Sequence, residues 1–231
     1  MTPPVEGHPL DRVVLATNNA KKLAELRRVL AETGLELEVL GLGDFETYPE
    51  PVEDGRTFDD NALIKARAAV LHTGLPALAD DSGLEVDVLN RMPGVRSSRW
   101  AGPAGDDAAN LRLVLDQIDD VADAERTGRF VCSMALVLPD LVMDPTGRTP
   151  GQAFLQRGEV EGRIVRAPRG ENGFGYDPIF QPLGEQRTTA EMSPAEKDAI
   201  SHRGRAVRAM ASFIKGLREH PVLPLGSPVA S

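Results

Sequence analysis

A chain of 231 residues, 41% hydrophobic and 26% charged, is long enough to bury a core without cross-links and has the make-up of a soluble globular protein. Its net charge of -9 argues against broad nucleic-acid binding, though not against a small phosphate ligand held by a few local cations. A single cysteine, Cys132, excludes an internal disulfide framework and argues against a cysteine zinc site, and four histidines leave no multi-histidine metal site.

No apolar run reaches membrane-spanning length, and Met1 to Leu10 lacks the basic-then-apolar layout of a signal peptide. The expectation is a cytoplasmic protein with no membrane or nucleic-acid partner. A loose N-terminal extension is expected over 1–11, one two-lobed domain over 12–218, and a frayed tail over 219–231.

Arg12 to Ala16 reads as a buried strand, and Leu23, Leu26, Val29 and Leu30 mark the inner face of a helix that follows. Between them lies Thr17-Asn18-Asn19-Ala20-Lys21-Lys22. Free N–H groups at a helix start suit a phosphate, with Thr17, Asn19 and Lys22 adding donors and charge. Plain N-capping by Asn with solvated lysines fits the same residues. Gly34 closes the helix, and Leu35 to Leu40 alternates as a strand with one wet face. Gly41 to Gly55 is an acidic loop ending in Glu53-Asp54-Gly55.

Thr57, with Asp60 three residues on, predicts a capped helix running to about His72 and stopped by Gly74. Asn61 and Lys65 share a face of it. The run Leu75 to Ala79 reads as a buried strand that ends in Asp80-Asp81 and a Ser82-Gly83 break, either a simple turn or a metal or base site at a strand end. A further strand is predicted at Leu84 to Leu89, and a helix at Asp106 to Ile118.

Phe130 to Leu138 is the most hydrophobic run and reads as a central strand, with Cys132 as core filler. Pro139 to Gly151 reads as an exposed loop. Gln152 to Arg157 and Val160 to Val165 read as two strands bracketing Gly158-Glu159. The glycine-rich Gly170 to Pro178 lets backbone approach a flat ligand with Phe174 free to stack, or forms a tight turn with Phe174 and Tyr176 in the core. Ser193-Pro194-Ala195-Glu196 is a strong helix start. A break at Ser201-His202-Arg203-Gly204 precedes a last helix. The fold class expected is α/β, a long mixed sheet with two α/β lobes flanking a cleft.

Five stretches, in this order, resemble the inosine triphosphate pyrophosphatases, or XTP/dITP diphosphatases. They are Thr17 to Lys22; Glu53 with Thr57-Phe58 and Asn61 to Ala66; Ala79 to Leu84; Phe174 to Pro178; and Glu196-Lys197 with Ser201 to Gly204. The resemblance implies hydrolysis of ITP, dITP or XTP to the monophosphate and pyrophosphate, with Mg²⁺ as cofactor, in a homodimer. It implies that Thr17, Asn19, Lys22 and Lys65 hold the triphosphate, with Ser82 beside them. Glu53 and Asp81 would engage the metal, Asp81 would also be the candidate base, and Asp80 would be largely structural. Phe174 would stack on the base, and Gly175, Tyr176, Asp177, Lys197, Ser201, His202 and Arg203 would line the nucleoside pocket. Asn18 departs from a glycine frequent in the family. Two rival readings are a hydrolase for modified or pyrimidine nucleotides and a nucleotide sensor without turnover.

Overall fold

The computed structural model describes residues 10–103, 105–140, 146 and 148–219. The two expected tails, apart from Leu10, Asp11 and Glu219, and half of the 139–150 loop (141–145 and 147) lie outside these residues. Seven strands form one mixed sheet in the order β2-β1-β3-β5-β6-β7, with β4 on the free edge of β3. They are β1 (Arg12–Leu15), β2 (Glu38–Gly41), β3 (Ala77–Val86), β4 (Met92–Pro93), β5 (Thr127–Pro139), β6 (Pro150–Ile164) and β7 (Phe180–Pro182). β1 runs parallel to β2 and β3, while all other pairings are antiparallel. The helices are α1 (Ala20–Glu32), α2 (Phe58–Thr73), α3 (Asp107–Gln117), α4 (Pro194–Ile200) and α5 (His202–Glu219).

Side-chain alternation sorts the first lobe into layers. Val13, Leu15, Leu78 and Met134 face α1 and α5. Val14, Ala77, Ala79 and Ala135 face the alanines of α2, whose small side chains let that helix lie close to the sheet. The second lobe packs α3 and the Tyr176 to Phe180 segment on Leu84, Val86, Phe130 and Val160. Cys132 is buried in the first-lobe core. Burial pushes its thiol well above the ordinary range, as expected of core filler.

Three elements differ from expectation. β3 does not end at Asp80-Asp81 but continues through Ser82 and Gly83, absorbing the start of the strand expected at Leu84. β5 pairs with it residue by residue from Ala77 to Val86 and supplies the hydrogen bonds that override the turn-forming sequence. Gly83 is there for close approach: a Cβ on it would meet Gly94 O at 2.7 Å and the side chain of Ser97. β6 is likewise one strand, with Gly158 inside it rather than in a turn. The break before the last helix shrinks to Ser201, which accepts the Gly204 N–H at 2.9 Å and so starts α5 at His202. The strong starts of α2 and α4 form as expected, each with a complete capping box.

Candidate functional site

β1 stays beside β3 only as far as Leu15 and Leu78, where Ala16 N–H donates to Leu78 O. β4 takes up the same edge again at Glu85. Between these points β3 has no strand neighbour on that side among the described residues, and the two acids lie in that gap. A cavity of about 540 Å³ opens there. Its walls include Thr17 to Asn19 after β1, Lys22 of α1, Lys65 of α2, Glu46, Glu50 and Glu53 of the acidic loop, Asp80, and Ser98 from the other lobe.

Because β3 is continuous, its neighbouring carboxylates face opposite layers. Asp81 faces α2: Lys65 Nζ lies 3.1 Å from Asp81 Oδ1 and 3.1 Å from Glu53 Oε2, and Asn61 Nδ2 donates to Asp81 Oδ2 at 3.1 Å. Burial raises the pKa of Asp81 despite the opposing charges of Lys65 and Lys22. Burial disfavours the Lys65 ammonium, but Asp81, Asp80 and Glu53 outweigh it and hold that lysine charged. Asn61 also accepts the Gly55 N–H at 2.9 Å, tying the Glu53 loop to α2.

Asp80 faces α1 and α5. Lys22 Nζ lies 3.1 Å from Asp80 Oδ2, to which Arg203 Nε also donates at 3.2 Å. Arg203 donates further to Glu25 Oε2 at 2.6 Å and Ser82 Oγ at 2.8 Å. Burial opposes the charge on Asp80, yet Lys22, Arg203 and Lys65 outweigh it and hold the carboxyl far below the usual range. Asp80 is thus a structural hub and also part of the cavity wall.

Asn19 caps α1, accepting from Lys21 N–H and Lys22 N–H, while its own N–H donates to Thr17 Oγ1. The capping reading of this loop is thus met, and the cap takes up the Lys21 and Lys22 N–H groups that a phosphate would otherwise use. Asn18 is not among the non-glycine residues with positive φ, so the departure from glycine carries no backbone strain.

Phe174 sits beyond Arg203, with Lys21, Lys197 and Arg203 at 5.9, 5.1 and 5.6 Å from the ring centre. Gly173 and Gly175 on either side have positive φ. Asp177 accepts from Lys197 Nζ at 2.6 Å, Phe174 N–H at 2.8 Å and Thr189 Oγ1 at 2.8 Å. The expected pocket residues are largely buried, Asp177, Ser201 and Arg203 more fully than Tyr176 and His202. Tyr176 is buried in the second-lobe core and donates to Ser97 O at 2.8 Å. His202 is buried against Phe130, ring centres 4.8 Å apart. Burial, then Arg203 and Lys197, drives its pKa well down, so its imidazole is neutral.

A family model described as the Ham1 family matches residues 13–213. The chain belongs to the Ham1 family. The dITP/XTP pyrophosphatase of Cutibacterium acnes is 56% identical over 207 residues, covering 89% of this chain and 97% of that protein. The protein of that name from Streptomyces coelicolor is 50% identical over 208 residues, covering 90% and 99%. A solved structure of a HAM1 protein from Coxiella burnetii superposes with a TM-score of 0.77 at 43% identity, covering 89% of this chain and 98% of that one. A dITP/XTP pyrophosphatase structure from Mycobacterium abscessus gives 0.68 at 52% identity, covering 86% and 98%. These names agree with the resemblance carried by the five motifs.

Within this Ham1 chain, sequence reasoning overlooked Glu25 and gave Asn61 no role. Glu25 lies three residues after Lys22, among the buried positions of α1. A carboxylate on an apolar helix face is the signal that it has a buried cation partner. Its Oε1 has no hydrogen-bond partner among the described residues.

Proposed function

We propose that the protein hydrolyses non-standard purine nucleoside triphosphates, XTP, dITP and ITP, to the monophosphate and pyrophosphate. One observation carries the reading: Glu53 and Asp81 converge on Lys65 at the edge of a lysine-bearing cavity, with an aromatic ring framed by cations beyond Arg203. The names of the relatives support it.

Thr17, Asn19, Lys22 and Lys65 bind the triphosphate, whose roughly four negative charges need several cations. Glu53 and Asp81 fit Mg²⁺: both are hard oxygen donors already gathered on one cation, the Lys65 ammonium. Among the described residues no cluster of three or more acidic, His or Cys ligands exists, and a magnesium ion that keeps its waters needs only one or two carboxylates. Bound there, the ion would offset phosphate charge and make a nearby water more acidic.

Asp81 takes the proton of the attacking water. A bond forms between the water oxygen and the α-phosphorus, the bond from the α-phosphorus to the oxygen bridging to the β-phosphate breaks, and pyrophosphate leaves with that oxygen. The raised pKa of Asp81 makes it a better base than an exposed carboxylate. Asn61 fixes the orientation of its second oxygen.

Phe174 stacks on the base. His202 and Arg203 begin α5, so their N–H groups have no acceptor within that helix and can donate to a 6-oxo purine. Adenine would set its amino group against those donors, and an unpaired buried donor costs about 1–3 kcal/mol. Ser82 and Ser201 support this corner through Arg203 and the α5 cap. We also take the protein to work as a cytoplasmic homodimer; among the described residues no helix is long and apolar enough to cross a membrane.

The test is turnover of ITP, dITP, XTP, dATP, GTP and a methylated pyrimidine triphosphate with Mg²⁺, products resolved by chromatography. Pyrophosphate from the first three substrates is expected. Release of single phosphates, preference for the pyrimidine, or binding of ITP without product overturns the reading.

A further inference from the structure

Phe174 has two peptide N–H groups beside its Cα, its own and that of Gly175. Asp177 accepts the first at 2.8 Å. The second donates to Asp107 Oδ2 at 2.9 Å, across 68 positions of sequence. Asp107 is the first residue of α3, where an acid would ordinarily be read as a cap. Here the cap is Asp106, whose Oδ1 accepts from Ala108 N–H and Ala109 N–H. Asp107 is therefore available for the neighbouring loop.

Gly173 and Gly175 both have positive φ, at 78° and 61°, so the chain on either side of Phe174 has the freedom of glycine. A ring between two glycines holds one orientation only if its backbone is anchored on both sides. α3 makes the second anchor rigid. Asn110, one turn further on, accepts from Ala101 N–H at 2.6 Å and donates to Ser98 O at 3.1 Å. Tyr176 donates to the adjacent Ser97 O. The helix, the Ser97 to Ala101 segment and the Phe174 loop thus form one braced unit.

We infer that Asp107 is a positioning residue for nucleotide recognition, which fixes the Phe174 loop through the Gly175 N–H so that the ring is preset for stacking. This rests on the assignment of Phe174 to the base. An anchor of this kind acts on the base half of the ligand and leaves the phosphate half untouched.

The test compares Asp107→Ala, Asp107→Asn and Phe174→Ala in the full chain. It measures kcat and KM for ITP, inhibition by inosine monophosphate, which keeps the base, and inhibition by pyrophosphate, which lacks it. Asp107→Ala is expected to raise KM and the inosine monophosphate Ki about tenfold, with kcat and the pyrophosphate Ki changed less than threefold. Asp107→Asn, whose carbonyl still accepts, is expected to recover most of the loss. If Phe174→Ala raises the monophosphate Ki and Asp107→Ala does not, the inference is overturned. Parallel loss of kcat, pyrophosphate affinity and thermal stability in Asp107→Ala would reduce it to a folding role and also overturns it. If Phe174→Ala itself leaves the monophosphate Ki unchanged, the stacking assignment fails first and the inference with it.

Discussion

Arg203 Nε donates to Asp80 Oδ2 at 3.2 Å, joining the first turn of α5 to the central strand, and both side chains are almost wholly buried. The same guanidinium neutralises Glu25 of α1. Removing one partner of a buried ion pair leaves an uncompensated charge, at a cost of about 3–5 kcal/mol. Arg203→Ala strands two carboxylates, although Lys22 still meets Asp80. A loss of about 3–5 kcal/mol is expected in urea unfolding; a loss below about 1 kcal/mol would show that the network relaxes around the gap.

His202 gives stability a defined pH dependence. Its folded-state pKa is depressed, by burial first and then by Arg203 and Lys197, with Lys22 adding to this and Asp80 opposing it. Below the unfolded value of about 6.5, the unfolded chain binds a proton that the folded one refuses. The contribution is therefore fully present above about pH 6.5 and is lost as pH falls from there towards the folded pKa. The slope approaches about 1.4 kcal/mol per pH unit for one proton. Unfolding followed between pH 7 and 5 is expected to show this slope, and His202→Phe, which keeps a ring against Phe130, is expected to flatten it. Equal slopes in the two proteins would remove His202 as the cause.

The boundaries of α2 and α4 were legible because caps and stops are local chemistry. Thr57, Asp60, Gly74 and Ser193 act within a few residues of themselves. The continuity of β3 through Asp80 to Gly83 was not legible. It depends on β5, some fifty positions away, and turn-like residues give no sign that a partner strand will hold them extended. The opposite facing of Asp80 and Asp81 follows from that continuity. The stretches that form the site stood out as motifs, but their depth did not. Tyr176, Asp177, Ser201, His202 and Arg203 are polar residues in those stretches, and only the packed structure shows them turned inward. Asp107 looks like an ordinary helix-start acid until Gly175 is placed beside it.

Asp81 separates turnover from stability. Burial raises its pKa, so its charge is disfavoured by the fold. Asp81→Asn removes that charge while keeping the shape, and Lys65 retains Glu53. Loss of a general base typically lowers the rate by about 10²–10⁴. Turnover of ITP is expected to fall by at least a hundredfold while the melting temperature stays level or rises. A rate within tenfold of the parent would take Asp81 out of the proton transfer.

Gly158 and Gly216 make opposite predictions for the same substitution. Gly158 lies inside β6, where the first turns of α5 press on the sheet. A Cβ there would overlap the His202 carbonyl and come within 2.6 Å of Ala206 N and 2.9 Å of Arg205 Cβ. Two of these are backbone atoms of a helix and cannot swing aside. Gly158→Ala must lift α5 and draw Arg203 away from Asp80. Overpacking of this kind costs about 1–3 kcal/mol, and weaker ITP binding should accompany it. Gly216 lies inside α5 with nothing among the described residues within 4 Å of the added atom. There alanine only restricts the unfolded chain and improves helix propensity, so Gly216→Ala should stabilise by about 0.5–1 kcal/mol with KM unchanged. Urea unfolding and ITP kinetics on the two variants check both signs. Equal stability in Gly158→Ala and the parent would mean that α5 is not held against β6 as closely as its first turn indicates.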